Sequence, residues 1–387
     1  MSGALSSLLD PVSLLRSLLA IDTVNPPGNE SRICDILEAP LRECGFHVER
    51  SPLADGRDNL IAYPKNVAAQ LALAGGQSHV PLLCFTGHMD VVPVGTAPWK
   101  HHPFAADMVD GRVYGRGSSD MKGGIAAFLC ATARFFQERK IAPNVLIILT
   151  SGEETGCEGA RSLSYLGELE LPVSAMVVGE PTANEVVVGH KGALWLRAEV
   201  RGITAHGSMP ELGENAIYKA TDAIAKLRHY TVLPEHNALL GNSSLNVGTI
   251  AGGLNVNSVP DHTRFEIDIR TVGDHPEGAL IDHVQDYLGN QVRVHACVDA
   301  ASLQTDPHHP WVRSVVQIVE EVTGVSQQPK TVSFFSDGPA LQNILGSMPT
   351  VVLGPGEPSM AHKVDEYCEV RKVNDCAEIY FRLIDTL

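Results

Sequence analysis

Apolar positions along this chain follow two patterns. In the first, short continuous runs alternate with helical-period stretches. Val80-Pro81-Leu82-Leu83-Cys84, Asn144 to Thr150, Ser174 to Val178 and Thr350 to Leu353 are runs of strand length, each closed by a glycine-bearing segment. Continuous runs of this kind suit strands buried on both faces, as in a parallel sheet. Between and around them, Val12, Leu14, Leu15, Leu18 and Leu19 recur at helical spacing, as do Ile33, Ile36, Leu37 and Leu41. Asn25-Pro26-Pro27-Gly28-Asn29 separates these two helices as a loop. Strands are predicted at Gly45–Glu49 and Asn59–Tyr63, helices over Ile125–Gln137 and from Val373, and a small-residue surface excursion over Ala68–Gly76.

From about Val187 the second pattern takes over. Trp195–Gly202 and Thr263–Arg270 alternate apolar and polar residues, as one-sided antiparallel strands do, with a helix predicted between them over Ala216–Leu227. The first pattern returns with Thr350. The expectation is an α/β protein of two domains: a mostly parallel catalytic domain in two segments, 1–186 and 299–387, and an inserted α+β domain over 187–298.

Length and composition sharpen this without changing it. At 387 residues the chain exceeds one typical core, and 44% apolar residues can fill two. A formal net charge of -16 disfavours nucleic acid or an anionic membrane as the main partner and favours a small soluble substrate. Met1 to Asp10 carries no basic residue before its apolar positions, and Pro11 interrupts them. No apolar run approaches the roughly 20 residues of a membrane span. A cytoplasmic location is expected. The eight cysteines form no Cys-x-x-Cys pair, so a bound metal would be held by His and carboxylates.

Candidate chemistry lies where the apolar runs end. His88 and Asp90, two positions apart, emerge on one side of a strand as a metal ligand and its carboxylate orienter. Alone, such a pair is more often an ordinary polar loop. Gly115 to Gly124 lacks the Gly-Lys-Ser/Thr ending of a phosphate loop and reads as a tight turn placing Asp120 at a helix entrance, where in isolation it is best taken as an N-cap. His101-His102 read as surface residues. Glu153-Glu154, Glu180 and His362 follow the other apolar runs. Two His and three or four carboxylates at one sheet edge suit two zinc ions sharing a carboxylate, and hydrolysis is the natural use. Of Glu153 and Glu154, one can ligate while the other faces substrate as general base.

Thr86-Gly87-His88-Met89-Asp90-Val91-Val92-Pro93, Tyr114 to Gly123, Ser151-Gly152-Glu153-Glu154, Gly179-Glu180-Pro181 and His362 together resemble the di-zinc aminoacylase and carboxypeptidase family, in the family's order and across nearly the whole chain. That family includes acetylornithine deacetylase and succinyl-diaminopimelate desuccinylase. The resemblance implies a di-zinc exopeptidase-like fold, with one zinc on His88 and Glu180, the other on Glu154 and His362, Asp120 bridging, and cobalt as an alternative metal. It implies that Asp90 orients His88, and that Glu153 takes a proton from water and delivers it to the leaving amine. The inserted domain would serve as lid and homodimer interface, with His206, in Thr204-Ala205-His206-Gly207-Ser208, reaching the other subunit's site to stabilise the oxyanion. Asn257 and Arg270 match substrate-carboxylate positions. His190-Lys191-Gly192 looks like the deacetylase pattern, whereas Ser336-Asp337-Gly338 resembles the desuccinylase, with Phe334-Phe335 where that enzyme has Gly-Gly. Lys191, Ser336 and Gly338 are therefore the candidate substrate-selecting residues. The expected activity is removal of an N-acyl group from an amino acid of the N2-acetylornithine kind, with succinyl or peptidyl substrates as alternatives and a silent amino-acid-binding scaffold as a third reading.

Overall fold

The computed structural model describes residues 3–73, 78–273 and 278–386. The chain divides into two compact units. One comprises Met1–Gly189, Gln304–Thr331 and Ser336–Leu387; the other comprises His190–Leu303 and Val332–Phe335. Sequence pattern alone had put the inserted segment at 187–298. The four-residue return at 332–335 has no periodicity that could have announced it.

The first unit is built on a nine-stranded sheet. Its centre runs Val145–Thr150, Leu82–His88, Val173–Val178, Thr350–Val352, and all three of these pairings are parallel. Every residue of Leu82–His88 and Val145–Thr150 is buried, which explains their unbroken apolar runs. Antiparallel strands flank this core, Arg57–Pro64 and Phe46–Ala54 on one side and Val187–His190 on the other.

The helix Gly123–Arg139 lies against Leu82–His88, and Pro11–Leu19 and Val370–Asp385 pack on it in turn. Phe85 stacks on Phe128 at 5.5 Å between ring centroids and meets Tyr380 edge-on at 5.0 Å, tying strand to both helices. Pro11–Leu19 starts where the sequence dictates: Asp10 accepts from the Val12 and Ser13 amides, and proline occupies the first turn. Ala68 falls in a helix, Lys65–Leu71, rather than the predicted surface excursion, whose remainder lies partly outside the described residues.

The second unit has a four-stranded antiparallel sheet in the order Ser244–Gly252, His262–Thr271, Gly192–Arg201, Val292–Ala300. Its core joins Leu194, Leu196, Phe265, Ile267 and Ile269 from alternate strand positions to Ala216, Ala220 and Leu227 of the helix Ala216–Leu227 and to Leu280 and Val284 of Ala279–Leu288. Asn215 caps the first of these helices through the Ile217 and Tyr218 amides. No helix among the described residues is long and apolar enough to cross a membrane.

Candidate metal centre and active site

Parallel strands place their carboxyl ends together, and here the register is explicit. His88 lies opposite Thr150, and Thr86 opposite Val178, so His88, the Ser151–Glu154 turn and the Gly179-Glu180 turn leave the sheet side by side. Gly124 makes the remaining approach possible. A Cβ there would sit inside contact distance of the Gly179 carbonyl oxygen, so only glycine lets the start of Gly123–Arg139 lie on the strand end that carries Glu180.

Two groups of side chains result, His88–Asp120–Glu180 and Asp120–Glu154–His362, each with one ligand atom per residue within 4.8 Å of the others. Asp120 belongs to both and uses a different oxygen for each. Its Oδ1 is 3.1 Å from His88 Nε2, and its Oδ2 is 3.3 Å from His362 Nε2. His88 Nε2 also lies 3.7 Å from Glu180 Oε1, and His362 Nε2 lies 3.3 Å from Glu154 Oε2.

Asp120 is therefore not the helix cap that its position suggested. The helix Gly123–Arg139 starts three residues later, Asp120 itself is extended at φ -118° and ψ 93°, and its side chain faces the histidines.

Asp90 lies against His88 through both its backbone and its side chain. His88 Nδ1 meets the main-chain carbonyl of Asp90 at 2.9 Å, while the carboxylate is 3.6 Å away. The carboxylate also serves the neighbouring turn. Its Oδ1 accepts from the amides of Gly152 at 2.9 Å and Glu153 at 3.2 Å, and its Oδ2 from Glu154 N at 3.3 Å and Asn25 Nδ2 at 2.9 Å. Asp90 thus orients His88 through its backbone and holds the Glu153-Glu154 turn through its side chain.

The electrostatics of this edge are those of crowded negative charge. Burial, followed by the charges of Glu180, Glu154 and Asp337, pushes the Glu153 carboxyl well above its usual range against the pull of His88. Burial raises Glu180 and Glu154 too. Asp120 goes the other way, as Asp90 does: burial would raise it, but hydrogen bonds with His362 and His88 carry it below the usual carboxylate range. The same hydrogen bonds to Asp120 and Glu154 lift His362 to about 10.

So many buried carboxyl groups in one place are stable only with added positive charge or bound protons. A pair of divalent cations fits. The donor set of imidazole nitrogens and carboxylate oxygens suits zinc, and Glu154 Oε1 is buried with no hydrogen-bond partner.

Sequence reading missed several residues here. Asn25, taken only as loop, bonds Asp90 and Thr155 Oγ1. Lys122 is fully buried, its Nζ donating to the carbonyls of Leu18 at 3.1 Å and Ile21 at 2.9 Å, and burial pushes it down to about 7. Asp337 is buried beside the same strand end, accepting from Thr150 Oγ1 at 2.5 Å. It sits between the two candidate substrate residues, of which Ser336 Oγ accepts from the Gly338 amide at 3.3 Å. His101, expected at the surface, is half-buried, bonded to Asp107 at 3.2 Å and stacked on Tyr114, while His102 is exposed.

Lys191, His206, Asn257 and Arg270 belong to the second unit. Two of them are neighbours there: His206 bridges to Ser258, and the Gly207 amide donates to the Asn257 carbonyl at 2.8 Å. His206 is exposed, and its Nδ1 accepts from the Ser208 amide at 3.2 Å, which leaves the neutral ring's proton on Nε2. Arg270 pairs with Asp268 at 3.0 Å, and Lys191 Nζ donates to the Asn242 carbonyl at 2.5 Å.

This parallel sheet edge carries two His–carboxylate groups around a shared aspartate, with a buried glutamate alongside, an arrangement that suits two metal ions and hydrolysis. The comparisons agree: peptidase family M20/M25/M40 matches residues 84–386, and the chain belongs to it. It is a hydrolase acting on linear amide bonds.

The chain is 30% identical over 404 residues to the succinyl-diaminopimelate desuccinylase of Gluconacetobacter diazotrophicus, covering 100% of both, and 28% identical over 395 residues to the acetylornithine deacetylase of Klebsiella pneumoniae, covering 96% of both. Among solved structures it resembles an M20 metallo-carboxypeptidase from Sulfolobus solfataricus, with TM-score 0.74, 18% identity and 100% of both chains covered. A dinuclear metal-binding M20 peptidase from Bacillus subtilis gives TM-score 0.67 at 16% identity, with 99% of this chain and 98% of that one covered.

Proposed function

We propose that the protein is a homodimeric, cytoplasmic two-zinc amidohydrolase that removes the acyl group from an N-acyl-amino acid, N2-acetylornithine being the leading substrate. The observation that carries the two-metal reading is the divided use of Asp120, one oxygen toward each ligand group. When bound, the ions supply the Lewis acidity that polarises an acyl carbonyl and acidifies water.

The chain's own residues supply the rest. His88 and Glu180 would hold one ion, Glu154 and His362 the other, and Asp120 would serve both. Glu153, held by its amide to Asp90, takes a proton from the attacking water and returns it to the departing amine. Its raised pKa suits both halves of that task. His206, reaching the other subunit's site in the homodimer, offers Nε2–H to the developing oxyanion, the tautomer that its bond from Ser208 selects.

Arg270 and Asn257 receive the substrate carboxylate, the guanidinium by its bidentate fork, and Lys191, Ser336 and Gly338 contact the acyl end. Dimer formation is supported by the second unit's edge strand Ser244–Gly252, which among the described residues pairs on one side only, and by exposed Ile250, Leu254 and Val256 along and beyond it. The free cysteines suit a reducing compartment.

Succinyl-diaminopimelate desuccinylation is the second reading, favoured by Ser336-Asp337-Gly338 and by relatives of equal similarity. The deciding experiment assays N2-acetylornithine, N-succinyl-diaminopimelate and dipeptides side by side with zinc or cobalt added. Preferential cleavage of acetylornithine supports the proposal, and preference for the succinyl compound replaces it. In the same assay Glu153→Gln should keep both ions yet lose about 10²–10⁴-fold in kcat; unchanged turnover removes Glu153 from its role.

A further inference from the structure

Glu366 is fully buried and takes no part in the steps above. Its Oε2 accepts from Arg116 Nη1 at 2.6 Å and from Gly117 N at 3.1 Å; its Oε1 accepts from Ser119 N at 2.8 Å and Asp120 N at 3.1 Å. One carboxylate thus gathers the backbone of the turn that delivers Asp120. Arg116, 2% exposed, reaches the other way: Nη2 donates to the His362 carbonyl at 3.3 Å and Nη1 to the Lys363 carbonyl at 3.2 Å. Ser119 Oγ adds a bond to the Tyr367 carbonyl at 2.7 Å. The segment bearing Asp120 and the segment bearing His362, far apart in sequence, are fastened to each other through one buried ion pair.

Stability is a weak explanation for such a pair. Buried ion pairs commonly do no better than apolar residues of the same volume, and Arg116 Nε is buried here without a partner. What the pair does fix is geometry. Arg116 Nη2 also donates to the Pro93 carbonyl at 3.3 Å, five residues beyond His88, but His88 itself is set by the strand Leu82–His88, and Glu180 by the turn after Val173–Val178.

We infer that Arg116 and Glu366 are positioning residues that set the spacing of Asp120 and His362, and so determine how tightly the Asp120–Glu154–His362 group holds its metal ion relative to the His88–Asp120–Glu180 group. This rests on the two-metal reading. Residues that orient ligands typically alter metal affinity by about 10–100-fold, and here the loss should fall on one of two ions.

The test titrates full-length, metal-stripped protein with Co²⁺, following heat and the cobalt absorption bands, for wild type, Glu366→Gln and Arg116→Lys. Arg116→Lys keeps the charge but cannot fork to Glu366 and two carbonyls at once. Expected are two binding events in wild type, with one of them weakened about 10–100-fold in each variant and the other within about 3-fold, whatever the thermal midpoint before metal is added, which Glu366→Gln should lower by leaving Arg116 unpaired. Two undisturbed events in both variants overturn the inference and leave the two-metal reading standing. Equal weakening of both events also overturns it, by showing a general structural role. A wild type that binds fewer than two ions overturns both. Should Glu366→Gln fail to fold, Arg116→Lys gives the same readouts.

Discussion

Replacing Asp90 by asparagine tests what its side chain does for the neighbouring turn, since His88 keeps its 2.9 Å contact with the Asp90 carbonyl. The carboxylate receives four N–H groups, two on each oxygen. An amide of the same shape keeps one acceptor oxygen, so in either orientation its NH₂ faces two N–H donors, and two charge-assisted hydrogen bonds are lost in a buried site. At about 1.5–3 kcal/mol each, with some relaxation of the turn, the cost to the local structure is on the order of 3 kcal/mol. A change of 1.4 kcal/mol is tenfold, so amide exchange over Gly152–Glu154 should accelerate about 10²-fold. Hydrogen–deuterium exchange on a peptide spanning this turn measures it directly, and kcat should fall with it because Glu153 rides on the same turn. Exchange within about 3-fold of wild type, with normal turnover, would refute the account of Asp90 as the holder of this turn.

Two further outcomes follow from buried groups elsewhere. Burial holds His190 at about 4, below the 6.5 of an unperturbed imidazole, so the folded state keeps it neutral where the unfolded chain takes up a proton. Its contribution, ~3 kcal/mol, is complete above pH 6.5 and disappears as pH falls toward 4; His190→Gln should flatten this acid limb in unfolding midpoints taken from pH 4 to 8, and an identical slope would contradict it. Gly124→Ala should push the helix start off the Gly179 carbonyl, costing about 1–3 kcal/mol in thermal unfolding and lowering metal content through the displaced Glu180 turn; a variant matching wild type in both would refute the close-approach argument.

How much of this was legible in sequence follows from what each residue responds to. The buried parallel strands announce themselves because both faces are apolar, and the six acid and His residues of the two ligand groups and the adjacent base stand out because they interrupt apolar texture at strand ends. The alternation of Trp195–Gly202 and Thr263–Arg270 correctly gave antiparallel strands with one covered face. Asp120 in isolation reads as a helix cap, and only the other acid and His residues at strand ends move it into the candidate ligand set; the extended residue and turn ahead of Gly123 leave no periodic trace. Asp90 reads as the partner of its nearest sequence neighbour, and nothing in the sequence shows that its carboxylate also answers amides more than sixty residues away. Arg116, Glu366, Asp337 and Asn25 were legible only as charged or polar residues beside motifs, since what marks them is burial. Charged residues lying between glycines or next to ligands, off any solvent-facing period, are the signal that could have raised them.

The parallel pairing of Thr350–Val352 with Val173–Val178 has a consequence for how the protein is made. A ribosome finishes the strand Val173–Val178 long before its neighbour exists, and the whole second unit is synthesised in between. At about 5–20 residues per second, the interval is on the order of ten seconds or more. During it the nascent first segment carries an open, apolar strand edge, the kind of surface that recruits chaperones or stray strands. His362 and Glu366 emerge later still, so the turn bearing Asp120 lacks its buried carboxylate acceptor, and the Asp120–Glu154–His362 group lacks a member, until the last stretch of translation.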